Sequence, residues 1–204
     1  MTKTIFNQEL SDVVNQAIKL TQEGNEEHAK NICLEIIKSN DYKQEDYWYI
    51  GELLSLYMKK EDLDNAIKAF DKSLAKEGDI IQVRKVVHGQ LGRCYKKIAE
   101  GYLDNGDKKN ANKYYELAKK NLGEACTGIT EIHNGTIALL NLLEVALDSE
   151  DMILADDIVN NKILNPKIMK HISDLGYSKN SGRLVARYIK ESNAVPVSML
   201  KKDK

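Results

Sequence analysis

The sequence predicts an all-α protein assembled from repeated helical hairpins, and three observations carry that expectation. An Asn or Asp is followed four residues later by Ala, and four later again by an apolar or aromatic residue, in four copies: Asn25/Ala29/Cys33, Asp62/Ala66/Phe70, Asp107/Ala111/Tyr115 and Asp151/Ala155/Val159. Gly24 and Gly106 stand immediately before two of these leading residues, where a helix ends in a left-handed conformation that Gly adopts at little cost. Only Pro166 and Pro196 interrupt 204 residues, so most of the chain is free to be helical. Self-similarity at a fixed offset points to stacked hairpins and not to one closed core.

Each repeat reads as helix, tight turn, helix. The Asn or Asp side chain can accept a hydrogen bond from the free N–H groups of a helix start, so it marks where the second helix begins. The Ala lies one turn in, on the face toward the first helix, where a small side chain lets two axes approach to about 8–10 Å. Leu20, Tyr57, Tyr102 and Ala146, nine residues before the four alanines, hold the matching places on the first helices. Helices are expected at 8–23, 26–39, 44–60, 63–76, 80–105, 108–122, 130–148 and 152–163. Two shorter ones follow at 166–175 and 180–192, with Gly176 as the stop of the first and Asn180 or Ser181 as the cap of the second. Ile168, Met169, Ile172, Leu175, Leu184, Val185, Tyr188 and Ile189 form an apolar stripe on that pair, fitting helices that cover a terminal repeat. Domain organisation is therefore expected as hairpins over 1–163, capping helices over 164–193 and a charged tail over 194–204.

The central repeats resemble the tetratricopeptide (TPR) family, through Gly51, Leu54, Tyr57, Ala66 and Phe70, and through Leu91, Gly92, Tyr102, Gly106, Asp107, Ala111, Tyr115 and Ala118. The resemblance covers roughly residues 8 to 163 and implies a right-handed α-solenoid whose first helices line a concave binding face. Here the alanines are spaced 37, 45 and 44 residues apart, against about 34 in that family, so longer helices or inserted loops are expected. Arg93 and Lys97 occupy two places where chaperone-binding members carry basic residues that clamp a peptide's terminal carboxylate. Val14, Ile18 and Glu52 stand at the other clamp places, where the family has Lys or Asn, and the full clamp is not expected.

Formal net charge is −1, but its distribution is uneven. Residues 1–80 carry an excess of six acidic groups and 81–125 an excess of five basic ones; 126–160 carry seven acidic and no basic residues, and 161–204 an excess of seven basic ones. Such blocks serve either to complement one another between neighbouring repeats or to present a basic stripe to an acidic ligand. The densest basic run, Arg84, Lys85, Arg93, Lys96 and Lys97 with His88 between, falls on one helix. Cys33, Cys94 and Cys126 are odd in number and far apart, which fits reduced thiols and not a disulfide framework. No run approaches the ~20 apolar residues of a membrane span, and MTKTIFNQEL has no signal-peptide core. A cytoplasmic location without membrane association is the expectation.

For catalysis the sequence offers no constellation. His28, His88, His133 and His171 lie far apart and outside HExxH-type spacing, and no phosphate loop or GxSxG elbow occurs. Glu150, Asp151, Asp156 and Asp157 form an acidic cluster that reads as a solvated face with helix-start charges. The expectation is a non-enzyme without cofactor or metal. Tyr47-Trp48-Tyr49 cannot all be buried on one side of a helix, so Trp48 is either an exposed interface anchor or a packing residue between repeats. The function expected is a protein–protein interaction module, an adaptor, regulator or sequestering inhibitor. It would bind a protein or peptide segment along Asn15, Trp48, Glu52, Ser55, Lys59, Arg93, Lys96, Lys97, Glu100, Asn141 and Glu144 of the first helices, with self-association through an uncovered end repeat as a further expectation. The second reading is a nucleic-acid-associated factor using 81–125 and 161–204, against which stand the low pI and the lack of interleaved aromatics in those segments.

Overall fold

The leading Asn or Asp of every repeat does begin a helix. In the computed structural model, which describes residues 10–59, 61–76, 81–127 and 133–192, the described residues form helices and no strand. The helices are α1 (Asp12–Gln22), α2 (Glu26–Lys38), α3 (Gln44–Glu52), α4 (Leu63–Ala75), α5 (Ile81–Asp104), α6 (Lys108–Cys126), α7 (His133–Asp148), α8 (Met152–Asp157), α9 (Pro166–Asp174) and α10 (Ser178–Ser192). Wider π-helical turns extend α3 over Leu53–Tyr57 and α8 over Ile158–Ile163. Against expectation, α1 starts at Asp12, α6 runs one turn further to Cys126, and α10 starts before Asn180. The expected helix start at 130 and the tail at 194–204 lie outside the described residues.

One turn chemistry closes three of the four hairpins. The N–H groups of Asn25, Asp107 and Asp151 donate to the carbonyls of Leu20, Tyr102 and Ala146, each five residues earlier, and the residue before each donates to the carbonyl three residues before it. This double closure needs a left-handed residue in the turn. Gly24 and Gly106 supply it at φ 79° and 77°, and in the third turn Glu150 adopts it at φ 58°. The same closure recurs at Tyr177 and Gly176, between α9 and α10.

The second hairpin departs from this pattern and corrects the reading of Tyr57. The Asp62 N–H donates to the carbonyl of Leu54, eight residues earlier, so three extra residues lie in this turn. Leu54, fully buried, therefore holds the place of Leu20, Tyr102 and Ala146, whereas Tyr57 is 58% exposed. The π-turn accommodates the insertion, with Met58 N–H donating to the carbonyl of Leu53 five residues back.

Asp62, Asp107 and Asp151 accept hydrogen bonds from the backbone N–H of Asn65, Asn110 and Leu154, as helix caps should. Asn25 has a similar backbone conformation, but its side chain makes no capping bond. Behind the caps, Ala29, Ala66, Ala111 and Ala155 are fully buried, and Cys33, Phe70, Tyr115 and Val159 are buried beyond them. Gly51 shows how close the helices come: a Cβ there would lie 2.5 Å from Phe70 Cε1, so only Gly lets the ring of α4 sit against α3.

The chain divides into two compact units, Met1–Cys94 and Tyr95–Lys204, and the division falls within α5. In the first unit α1 packs on α2 and α3 on α4, around Val14, Ala17, Ile36, Ile50, Leu54 and Phe70. In the second, α7 is the central helix and meets α6, α8, α9 and α10. Its Ala-Leu-Leu-Asn-Leu-Leu-Glu-Val-Ala-Leu run is apolar nearly all round, as a helix enclosed by neighbours must be. Ile172, Leu184, Val185 and Tyr188 of α9 and α10 join its core, while Met169 of the expected stripe is half exposed.

Candidate functional site

Within the first unit, the expected binding residues separate into a buried group and a surface group. Trp48, Glu52 and Ser55 are 8%, 6% and 0% exposed. Of the two readings of Trp48, the buried one holds; its ring meets Tyr49 edge-on at 5.5 Å between centroids. Tyr47 is also buried, donating its hydroxyl to the Ser39 carbonyl at 2.6 Å beneath the ammonium groups of Lys72 and Lys76. Tyr49 is the member of the trio that stays half-exposed. Asn15 is exposed and donates its amide to the Leu10 carbonyl; Lys59 is exposed and its backbone N–H is held by the Glu26 carboxylate.

Three of the buried or half-buried groups come together. Arg93 Nη2 of α5 donates to Ser55 Oγ in the π-turn at 3.1 Å. Glu52 stands one turn before Ser55, and burial pushes its carboxyl up to about 7, with the Arg93 charge offsetting part of that rise. Glu52 Oε1 and Arg93 Nε are both buried without a hydrogen-bond partner. A buried carboxyl in that state is stabilised by keeping its proton, so Glu52 exchanges a proton near neutrality.

Ile18, Thr21 and Gln22 of α1 and Tyr49, Leu53 and Tyr57 of α3 and its π-turn line a cavity of about 250 Å³. Burial raises the Tyr49 hydroxyl above its ordinary range, helped by Tyr57 and Glu52, so these three groups are electrostatic neighbours. The sequence reading did not find this cavity, because it placed Tyr57 inside the repeat.

In the second unit, Lys96, Glu100 and Glu144 meet. Lys96 donates to Glu144 and lies 3.4 Å from Glu100. Glu144 also accepts from Arg183 of α10 at 2.8 Å. Burial pushes the Glu144 carboxyl up, but hydrogen bonds and charge from Lys96 and Arg183 outweigh it and hold the group below the usual carboxylate range. Asn141 lies half-buried one turn before Glu144 on α7, and Lys97 is half-buried on α5.

The charge blocks of the sequence complement one another inside this unit. Arg187 pairs with Asp148 and Glu191, and Lys119 pairs with Asp151 and Glu116. Tyr188 donates its hydroxyl to Asp156, and Asp157 accepts from Asn161. Asp151, Asp156 and Asp157 of the acidic cluster are thus engaged by neighbours, and among the described residues no group of three His, Cys, Asp or Glu is placed to hold a metal ion. Burial pushes the Cys33 and Cys126 thiols up to about 12, so both stay protonated. Among the described residues no helix is long and apolar enough to cross a membrane.

No protein-family model, curated protein or solved structure matches this chain.

Proposed function

We propose that this chain is a non-catalytic protein–protein interaction module of TPR-like helical hairpins, with α9 and α10 as its cap, which holds a partner segment on the faces of its first helices. The observation that supports this most is the repeated turn chemistry. Three hairpins share one closure and a fourth carries an insertion, the mark of a repeat architecture that presents rows of side chains as an extended binding surface. The right-handed solenoid and the adaptor, regulator or sequestering role belong to this same reading. Four basic side chains of the second unit are engaged internally, Lys96 and Arg183 with Glu144, Lys119 with Asp151 and Arg187 with Asp148; this reduces the basic surface that the nucleic-acid reading needs.

The test is affinity capture at two salt concentrations, with and without nuclease, comparing the natural chain with an Arg93→Gln/Lys97→Glu variant whose helicity is checked by circular dichroism. Gln at 93 preserves a donor toward Ser55 without adding a second carboxylate beside Glu52. A defined protein partner that survives nuclease and is lost from the variant is expected. Recovery of nucleic acid, or equal capture by the variant, overturns the reading.

A further inference from the structure

We propose that the cavity between α1 and the π-turn after α3 is a subsite for the cationic side chain, arginine or lysine, of a partner segment. It deepens, and rests on, the reading of the first helices as a partner-binding face. The cavity is a product of the three-residue insertion, which replaces the tight turn of the other hairpins and turns Tyr57 and Leu56 outward to 58% and 39% exposure. Its volume of about 250 Å³ suits one long side chain and not a cofactor.

The lining selects for positive charge. Tyr49 and Tyr57 line the space, and aromatic rings attract ammonium and guanidinium groups. Thr21 and Gln22 are the last two residues of α1, so the negative end of that helix dipole lies at the wall. Among the described residues no Lys, Arg or His lines the cavity, and no Asp or Glu does either, so its preference for a cation rests on the two tyrosines and the end of α1. Outside the lining, the Glu26 carboxylate accepts from the Lys59 backbone N–H, two residues beyond Tyr57. A neutral apolar side chain would meet Ile18, Leu53 and the tyrosines but would gain nothing from the end of the α1 dipole.

The test uses the full chain and acetylated, amidated Gly-rich pentapeptides with a central arginine, lysine or norleucine. Trp48, the only tryptophan and in ring contact with Tyr49, reports by fluorescence, and methyl NMR shifts of Ile18, Thr21 and Leu53 report directly from the wall. Saturable binding of the arginine and lysine peptides is expected, with the norleucine peptide at least about tenfold weaker. Tyr57→Ala is expected to weaken the arginine peptide roughly fivefold, and Gln22→Lys to abolish binding by placing a like charge at the wall. Both positions are exposed, so the fold tolerates either change. Equal binding of norleucine, unchanged affinity in both variants, or no saturation up to roughly 10 mM, well above the ~1 mM dissociation constant expected of one seated side chain, overturns the proposal. Loss of the subsite with partner capture still sensitive to Arg93 and Lys97 would remove the cavity alone; loss of that sensitivity would remove the binding face.

Discussion

Two carboxylates, Glu52 buried in the first unit and Glu144 half-buried in the second, are held on opposite terms. In the second unit Glu144 is met by Lys96 from α5 and Arg183 from α10, and remains ionised below the usual carboxylate range. In the first, Glu52 has only the field of Arg93, whose Nη2 is turned to Ser55, and its carboxyl is pushed up to about 7. The difference shows that hydrogen-bonding cations brought by separate elements keep a half-buried carboxylate charged, whereas burial that leaves a carboxyl oxygen without a hydrogen bond drives it toward the neutral form. Glu52 therefore gives the first unit one interior group that titrates near neutral pH, whereas Glu144 in the second is fixed by salt bridges.

The comparison is broken most forcefully from the second unit. Glu144→Ala leaves Lys96, with a side chain only 14% exposed, facing Glu100 alone; a loss of about 3 kcal/mol is expected, read by urea denaturation under far-UV circular dichroism. Trp48, within the first unit, separates the responses: its fluorescence transition should move less than the dichroism.

pH sharpens the comparison, because the signs differ. The folded-state pKa of Glu52 is raised from 4.5 to about 7. Its contribution is therefore fully present below the unfolded value and is lost as pH rises through about 7, up to about 3 kcal/mol. Glu144 is shifted down, so its contribution is present above the unfolded value and is lost as pH falls through the folded one. Urea midpoints by Trp48 fluorescence should fall between roughly pH 5 and pH 8, and Glu52→Gln should flatten that slope.

Packing gives a smaller effect. Gly51→Ala drives a methyl against Phe70 and should cost the first unit about 1–3 kcal/mol, less what Ala gains in helix propensity; thermal unfolding measures the net. Smallest is the contrast between caps. Asp107→Ala should lower the midpoint slightly because the Asn110 N–H loses its acceptor, whereas Asn25→Ala should be near neutral in the same denaturation assay, since no capping bond exists there.

The comparison also shows where the sequence was legible. Asp62, Asp107 and Asp151 cap helices, and the alanines four residues later are buried, because capping and helical periodicity act over a few residues and are written locally. Tyr57 was misread for the opposite reason. A nine-residue offset looks regular in a string, and only the hydrogen bond from Asp62 to Leu54 reveals the three inserted residues. The cavity depended on that same insertion and so was missed with it. Of the expected binding residues, Glu52, Ser55 and Arg93 do meet in the first unit, and Lys96, Glu100 and Glu144 in the second. Arg183 of α10 completes the second group from 39 residues further along the chain, a distance over which charge pattern alone assigns no partner.

By itself the sequence determined the helices, the start of the second helix in each repeat and the small residues between them, since propensity, capping and left-handed turn residues act over one or two turns of chain. Only the tertiary structure decided which acids are paired, which carboxyl keeps its proton, that Trp48 is buried and Tyr57 is not, and that a cavity opens beside the π-turn. Burial and pairing depend on residues distant in sequence arriving at the same place, and desolvation acts on a group only once they have arrived.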